Sequence, residues 1–214
     1  MIEFVDNNSY DYKVANISQA TSGNAKIDQS KTANATFTAQ YTHLIDSKPL
    51  HGERIVCALP INESNALIIN ALHELGAEVR VCASAPVATD DDVAAALANN
   101  GIAIFAWNNE AWAEYWWCVM KAFTFANNSL PTILIDHNGK AIQAIEIGSN
   151  GEVDPNTLQP LSETDEGMEL AEMIYMSHQS GIVWGNVANA IQLTISNEES
   201  PLAYLSKILY TKIL

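Results

Sequence analysis

One histidine of the chain lies where it could transfer a proton. His137 follows Asp136 and begins the turn 137–140 (His-Asn-Gly-Lys), and a further carboxylate, Glu163, lies in an acidic segment later in the sequence. Because an imidazole titrates near neutral pH, His137 is a candidate general base that Asp136 or Glu163 would orient. A histidine in such a turn can equally be a solvated surface residue. The remaining histidines show no pattern that suggests chemistry: His43, His51, His73 and His178.

The cysteines and glycines argue against metal, redox and nucleotide sites. Cys57, Cys82 and Cys118 are widely separated and each lies in an apolar run, which is typical of buried, reduced thiols. No two of the ten glycines are separated by one residue or by four residues, so neither the dinucleotide fingerprint nor the phosphate-binding P-loop can be written in this sequence. We therefore expect no metal and no tightly bound NAD or ATP of the usual kind.

The charge balance of the sequence argues against nucleic acid and anionic membranes as partners. The 214 residues include 25 acidic and 10 basic side chains, which gives a net charge of -15, and 48% of the residues are apolar. Phosphate backbones and anionic membranes would be repelled, so we expect neither as a partner. No run approaches the roughly 18 consecutive apolar residues of a membrane span, and residues 1–12 are polar and acidic rather than a signal peptide. These features predict a globular cytoplasmic protein.

The elements that would position these residues alternate along the chain from about residue 53. Short, nearly continuous apolar runs predict strands, and apolar residues at helical spacing predict helices between them. The predicted strands are 54–59, 78–83, 102–107, 132–136 and 182–184, with a further extended piece at 141–147 and a loop at 148–160; the predicted helices are 62–75, 90–100, 110–123 and 162–178, the last capped by Ser162. This alternation indicates a three-layer α/β fold of the flavodoxin or Rossmann-like kind, in which a mostly parallel sheet is covered by helices on both faces.

The flanks differ from this core, so we divide the chain into three regions. Residues 1–45 are predicted to form an N-terminal arm with a surface helix, 46–200 the α/β core, and 201–214 a C-terminal amphipathic helix. The apolar stripe of that last helix consists of Leu202, Leu205, Ile208, Leu209 and Ile213. Such a stripe packs on its own domain or against another subunit, which leaves a homo-oligomer open.

The segments that follow the predicted strands are candidates for a binding crevice, since ligands of open α/β sheets bind beyond the carboxyl ends of the strands. They are 60–65, 84–92, 108–110 and 136–140, together with the helix start at 162–166. All are polar or acidic, although surface loops have the same composition. Four tryptophans lie close in sequence to the segment 108–110: Trp107, Trp112, Trp116 and Trp117. We interpret these as core or interface residues, with a stacking platform for a base as the alternative.

Six blocks of sequence occur in a characteristic order. They are 11–18 (Asp-Tyr-Lys-Val-Ala-Asn-Ile-Ser), 47–55 (Ser-Lys-Pro-Leu-His-Gly-Glu-Arg-Ile), 75–79 (Leu-Gly-Ala-Glu-Val), 89–96 (Thr-Asp-Asp-Asp-Val-Ala-Ala-Ala), 105–107 (Phe-Ala-Trp) and 114–118 (Glu-Tyr-Trp-Trp-Cys). Together they resemble the substrate-binding domain of S-adenosylhomocysteine hydrolases (adenosylhomocysteinases) over residues 11 to about 175. The resemblance implies an enzyme that cleaves S-adenosylhomocysteine reversibly into adenosine and homocysteine, with bound NAD oxidising the ribose 3'-hydroxyl. It also implies an NAD domain inserted after the substrate domain, which the length and the glycine spacing of this sequence predict to be absent.

The sequence departs from the family pattern where the resemblance implies catalytic residues. At 59–62 the family's Leu-His-Met-Thr is replaced by Leu-Pro-Ile-Asn, which puts Pro60 in place of a histidine. At 136–140 the family's Asp-Asp-Gly-Gly-Asp is replaced by Asp-His-Asn-Gly-Lys, which puts His137 in place of the second, catalytic aspartate. A lysine and an aspartate that the family carries further on have no recognisable match in 187–200. We therefore expect the chain to be inactive as a hydrolase.

One binding segment is retained in part. Residues 162–167 (Ser-Glu-Thr-Asp-Glu-Gly) resemble the family's Glu-Glu-Thr-Thr-Thr-Gly, which aligns Glu163 with the carboxylate that holds the ribose hydroxyls and Thr164 with a cofactor-side threonine. Asp165 and Glu166 replace threonines that would face NAD phosphates, and carboxylates would repel those phosphates. The same residues are also ordinary choices for a helix N-terminus.

Our leading hypothesis is a stand-alone, degenerate substrate domain that binds a nucleoside-like or other small polar ligand and no cofactor. The expected crevice is walled by Asn62, Ser64, Asn65, Asp136, His137, Glu163 and Thr164, with His137 as the only candidate catalytic residue. Two alternatives stay open. In the first, the chain is a non-catalytic partner that binds itself or a full-length hydrolase through its tail and its tryptophan-bearing helix. In the second, it is an enzyme of unknown reaction that uses His137 as its base.

Overall fold

Five parallel strands form the central sheet, in the order β3-β2-β1-β4-β5. A computed structural model describes residues 11–198 and 200–213, so the first ten residues of the predicted N-terminal arm lie outside the described residues. The strands are β1 (Arg54–Leu59), β2 (Glu78–Ala83), β3 (Ala103–Phe105), β4 (Ile133–Asp136) and β5 (Leu193–Ser196). β1 pairs in parallel with β2 on one side and with β4 on the other. The predicted α/β class and Rossmann-like arrangement are confirmed.

Helices cover both faces of this sheet. They are α1 (Ala20–Ala33), α2 (Ala35–Tyr41), α3 (Glu63–Glu74), α4 (Asp91–Asn99), α5 (Trp112–Ala122), α6 (Lys140–Val153), α7 (Asp165–Gln179), α8 (Trp184–Ala190) and α9 (Pro201–Ile213). Short 3₁₀ segments add Ile17–Gln19, Thr42–Ser47, Ala126–Asn128 and Pro155–Glu163. Helices α1 to α4 and α9 lie on one face, and α5 to α8 lie on the other.

The apolar residues form two cores because successive side chains of a strand point to opposite faces. Along β1, Ile55, Cys57 and Leu59 belong to the core under α3, which we call the α3-side core. Val56 and Ala58 belong to the core under α5, which we call the α5-side core. All five of these side chains are fully buried. The continuous apolar run that predicted this strand is therefore explained by a sheet buried on both faces.

Several boundaries differ from the sequence-based expectation. Residues 141–147 are helical within α6 rather than extended, and most of the predicted loop 148–160 belongs to α6 or to the 3₁₀ segment Pro155–Glu163. Residues 182–184 do not form a strand, because Trp184 begins α8 and packs fully buried in the α5-side core. The fifth strand is Leu193–Ser196 instead. Helix α7 begins at Asp165 with Thr164 as its N-cap, not at Ser162.

The two flanking segments pack on the core. Within α1 and α2, the apolar side chains Ile27, Phe37 and Tyr41 join the α3-side core. The tail helix α9 contacts α3 and β5, and its Leu205 and Ile208 are buried there. Its apolar stripe therefore packs on its own domain over the described residues. Among those residues, we find no helix with the length and apolar character that crossing a membrane requires.

Candidate functional site

The chain reverses its direction of winding between β1 and β4. The connection after β1 enters α3 on one face of the sheet, and the connection after β4 enters α6 on the other face. Because these adjacent strands send their connections to opposite faces, their carboxyl ends bound a crevice, which is the usual ligand position in such sheets. The residues that follow these two strands therefore form the walls of the crevice.

The first wall of the crevice is the start of α3. Asn62 is the N-cap of α3, and its Oδ1 accepts a hydrogen bond from the Asn65 N–H at 2.8 Å. The side-chain amide of Asn65 donates to the Pro60 carbonyl at 2.9 Å. Both asparagines are half-buried, as is Ser64 between them. Much of the hydrogen-bonding capacity of this wall is thus used to build the turn from β1 into α3.

His137 lies on the same side of the crevice and contacts the tail helix. Its N–H donates to the Ala58 carbonyl at 3.0 Å, which continues the pairing of β4 with β1. Its Nδ1 lies 3.3 Å from the hydroxyl oxygen of Tyr204 in α9. That oxygen accepts a hydrogen bond from the Glu198 N–H at 3.2 Å. Burial raises the pKa of Tyr204, so the hydroxyl keeps its proton and can donate it to Nδ1.

Asp136 does not share this environment although it precedes His137. It is completely buried. Its Oδ1 accepts from the N–H groups of Asn138 and Gly139, at 3.3 and 3.0 Å, and its Oδ2 accepts from the Ile142 N–H at 2.8 Å. Burial raises the pKa of this carboxyl group, while the backbone N–H groups counter that rise. Asp136 therefore organises the start of α6 and does not orient His137.

The second wall consists of the N-termini of α6 and α7. Thr164 caps α7 by accepting from the Gly167 N–H at 3.0 Å, and Thr164 and Glu163 are both exposed. The Lys140 ammonium forms an ion pair with Glu166 and lies 5.6 Å from the Trp112 ring centroid. Glu163 is exposed at the end of the 3₁₀ segment that leads into α7. The predicted repulsion of phosphates by Glu166 is offset by Lys140.

A polar bridge crosses the end of β1. Asn138 follows β4 and its side-chain amide donates to the Ser84 carbonyl, which follows β2, at 3.3 Å. The Tyr115 hydroxyl donates to the same carbonyl at 3.2 Å. Because β1 lies between β2 and β4, the Asn138 side chain spans the floor of the crevice.

The predicted site residues therefore divide between two walls. Asn62, Ser64, Asn65 and His137 belong to the wall formed by α3 and α9, whereas Asp136, Glu163 and Thr164 belong to the α6 and α7 wall. Sequence reasoning missed Tyr204, whereas Asn138 and Lys140 lie within the predicted crevice segment 136–140 but were not singled out. Tyr204 had no local signal, because it lies 67 positions from its partner His137.

The tryptophans near the crevice are engaged in the protein. Trp116 is fully buried, and its indole N–H donates to the Glu166 carbonyl at 3.2 Å. The rings of Trp107 and Trp117 hold the Lys13 ammonium at 4.4 and 4.5 Å from their centroids. These contacts favour the core interpretation over a stacking platform.

The described residues favour neither thiol chemistry nor metal binding. The three cysteines are free and buried, and burial raises the pKa of each thiol, which disfavours the reactive thiolate. Over residues 11–198 and 200–213, no group of three or more His, Cys, Asp or Glu side chains is arranged to hold a metal ion.

Comparison with known proteins adds a family relationship. The family model for S-adenosyl-L-homocysteine hydrolase matches residues 11–203. An adenosylhomocysteinase from Solanum lycopersicum is 34% identical over 142 residues, which cover 66% of this chain. The same alignment covers 29% of that relative, so this chain matches less than a third of the relative's length.

Proposed function

Because the chain belongs to the S-adenosyl-L-homocysteine hydrolase family, we propose that it acts as a substrate-type binding domain without hydrolase activity. Its ligand is a nucleoside-like small molecule held in the crevice between β1 and β4. The single observation that carries this proposal is that the crevice keeps the usual place of a ligand site in such a sheet, while its residues offer no base to a substrate.

Three residues at the crevice are unsuited to proton transfer: Pro60 and His137, which stand where the family has a histidine and a catalytic aspartate, and the retained Asp136. Pro60 has no titratable group. Asp136 is buried, and its two oxygens accept backbone hydrogen bonds. The Nδ1 of His137 lies 3.3 Å from the Tyr204 hydroxyl oxygen, so this nitrogen is engaged within the protein. A hydrolase of this family needs a base at the ribose, and with Tyr204 in contact with His137 none of the three supplies it.

The residues here do not fit the NAD that the family implies. The first turn of α7 carries Asp165 and Glu166, and the Oγ1 of its cap Thr164 already accepts from Gly167. Lys140 neutralises Glu166, but Asp165 remains exposed at the helix start. A dinucleotide phosphate at that point would meet a carboxylate. We therefore propose that the chain works without NAD.

The chemistry of the walls favours a small, neutral, polar ligand. Amide groups of Asn62, Asn65 and Asn138 surround the crevice, and they can exchange part of their internal hydrogen bonds for bonds to a ligand. The Glu163 carboxylate at the rim is free to accept from two neighbouring hydroxyls, as in a ribose. The net charge of -15 disfavours nucleic acid and anionic membranes. A cytoplasmic location agrees with three unpaired cysteines.

Calorimetry with adenosine and with S-adenosylhomocysteine, each with and without NAD, tests this proposal. We expect binding of adenosine that NAD does not change, together with no release of homocysteine. Glu163→Gln should weaken adenosine binding by about tenfold, because hydrogen bonds to a charged group contribute about 1.5–3 kcal/mol. Glu172→Gln is the matched control, since Glu172 is exposed on α7 away from its first turn. Turnover by the wild-type chain, or equal affinity in all three proteins, contradicts the proposal.

A partner-binding role is the second candidate, and the exposed apolar side chains of α7 favour it. Met168, Tyr175 and Met176 are 47%, 63% and 44% exposed, whereas Leu205 and Ile208 of the tail helix and Trp116 of α5 are buried in the domain. Measurement of molecular mass, for the chain alone and mixed with a full-length hydrolase, checks this role. A monomer that ignores the hydrolase contradicts it.

A further inference from the structure

The tail helix reaches the crevice through one side chain. Tyr204 is 1% exposed and belongs to the α3-side core, yet its hydroxyl extends to the carboxyl edge of the sheet. There it meets Nδ1 of His137 at 3.3 Å and the Glu198 N–H at 3.2 Å. The ring of Tyr204 therefore occupies the α3 side of the crevice, at the position where a ligand would approach His137.

Contacts along α9 hold this side chain in place. Leu205 and Ile208 are buried against the α3-side core, which fixes the helix on the domain. Lys207 forms an ion pair with Glu198, and Lys212 forms one with Glu53 at 2.9 Å. Lys212 also donates to the side chain of Gln192 at 2.8 Å. The helix is thus tied to the segment after β5 near Tyr204 and to the start of β1 at its far end.

We propose that Tyr204 is a built-in occupant of the crevice, and that a ligand contacts His137 only after the Tyr204 hydroxyl has left it. The contact is an internal competitor, because the phenol hydroxyl engages Nδ1 of His137 and keeps that nitrogen from a ligand. This inference rests on the proposed function for the identity of the ligand, but the closed contact itself can be tested without any ligand.

Tyr204→Phe is the informative substitution, because it keeps the ring and removes only the hydroxyl. Tyr210→Phe is the matched control, since Tyr210 lies on the same helix and is 72% exposed. The first measurement is the rate at which diethylpyrocarbonate modifies His137, followed by mass spectrometry. His43 and His51, which are exposed, serve as internal standards. Circular dichroism establishes that each variant is folded.

We expect His137 to react about three- to tenfold faster in Tyr204→Phe than in the wild type or in Tyr210→Phe, which is the range that corresponds to one net hydrogen bond. Equal rates of His137 modification in the wild type and in Tyr204→Phe overturn the inference.

The second measurement separates this inference from the proposed function. Adenosine should bind Tyr204→Phe about three- to tenfold more tightly than it binds the wild type. Faster modification of His137 without any adenosine binding supports the closed contact and contradicts the nucleoside ligand. Adenosine binding of equal strength in all three proteins overturns the competition between Tyr204 and the ligand.

Discussion

Glu110 lies just after β3, at the carboxyl edge of the sheet, and is 6% exposed. Its Oε1 accepts from the Trp107 N–H at 3.1 Å, and its carboxyl group lies against the Cys118 thiol. Burial raises the pKa of Glu110 to about 8, which the bond from Trp107 and the contact with Cys118 only partly oppose. At neutral pH the folded protein therefore holds a proton here that the unfolded chain, with an ordinary pKa of 4.5, has released.

This proton makes the stability depend on pH in a defined direction. Because the folded pKa is the higher one, the contribution of Glu110 is fully present below about pH 4.5 and is lost as the pH rises to about 8. We expect the free energy of unfolding to fall by about 2–4 kcal/mol over that window, because the folded protein must keep on Glu110 a proton that the unfolded chain releases. Glu110→Gln should remove most of this slope, while the buried Asp136 keeps its own smaller part in both proteins.

Urea unfolding at pH 5 and pH 8 measures the effect. Glu172→Gln, at an exposed position of α7, is the control and should retain the wild-type slope. A difference between Glu110→Gln and the wild type that is the same at both pH values contradicts the assigned proton.

Single side chains at the crevice could be predicted from the sequence only where their position follows from local structure. Asn62 begins the predicted helix 62–75 and caps the observed helix α3, as its residue type favours. Asp136 and His137 are neighbours in sequence, but extended backbone sends consecutive side chains to opposite faces. The pairing of His137 with Tyr204 depends on how α9 packs, which no local pattern encodes.

At the scale of elements, the errors of prediction have physical causes. Residues 141–147 bury the apolar side chains at 141, 144 and 145, which fit a helix face, but the three isoleucines of this segment are β-branched and favour an extended strand. β5 is an edge strand in which only Ile195 is buried, so the sequence carries little strand signal there. The run 182–184 looked stronger because Trp184 is a core residue of α8.

The packing of α1 on α4 depends on a residue without a side chain. A Cβ on Gly23 would lie 1.8 Å from the carbonyl oxygen of Asp92 and 2.8 Å from the Cβ of Ala96. Asp92 and Asp90 also pair with Lys26 of α1 at 2.9 and 2.7 Å. The close approach thus lets α1 place its lysine over the first turn of α4.

Gly23→Ala should therefore lower the free energy of unfolding by about 1–3 kcal/mol. The gain in helix propensity, roughly 0.5–1 kcal/mol, is smaller than the cost of moving a backbone carbonyl apart from the new methyl group. Thr21→Ala, at an exposed position of the same helix, keeps the packing and should be neutral or slightly stabilising. Urea unfolding of the three proteins provides the measurement. Stabilisation by Gly23→Ala contradicts this close packing.

At the scale of the whole molecule, the alternation of apolar runs and helices predicted the sheet, its two covered faces and the carboxyl edge as the place of the crevice. The side-chain contacts at that edge could not be predicted in the same way. Three long-range contacts close it, from Tyr204 to His137, from Asn138 to Ser84 and from Lys140 to Glu166. Each joins segments at least 26 positions apart, whose approach is fixed only once the helices have packed.

The two cores share one sheet, and this predicts how the molecule unfolds. Cys57 points from β1 into the α3-side core, while Cys118 of α5 lies in the α5-side core, and both are completely buried. Neighbouring residues of β1 belong to different cores, so neither core can open without breaking the strand that supports the other.

Pulsed alkylation with iodoacetamide across a urea series, read by mass spectrometry and normalised to the fully unfolded chain, should therefore give one midpoint for both thiols. The tryptophan fluorescence, whose five sources all belong to the α5-side core or pack against it, should follow the same transition. If Cys57 became reactive at clearly lower urea than Cys118, the α3-side core would unfold as a separate unit and the shared-sheet argument would fail.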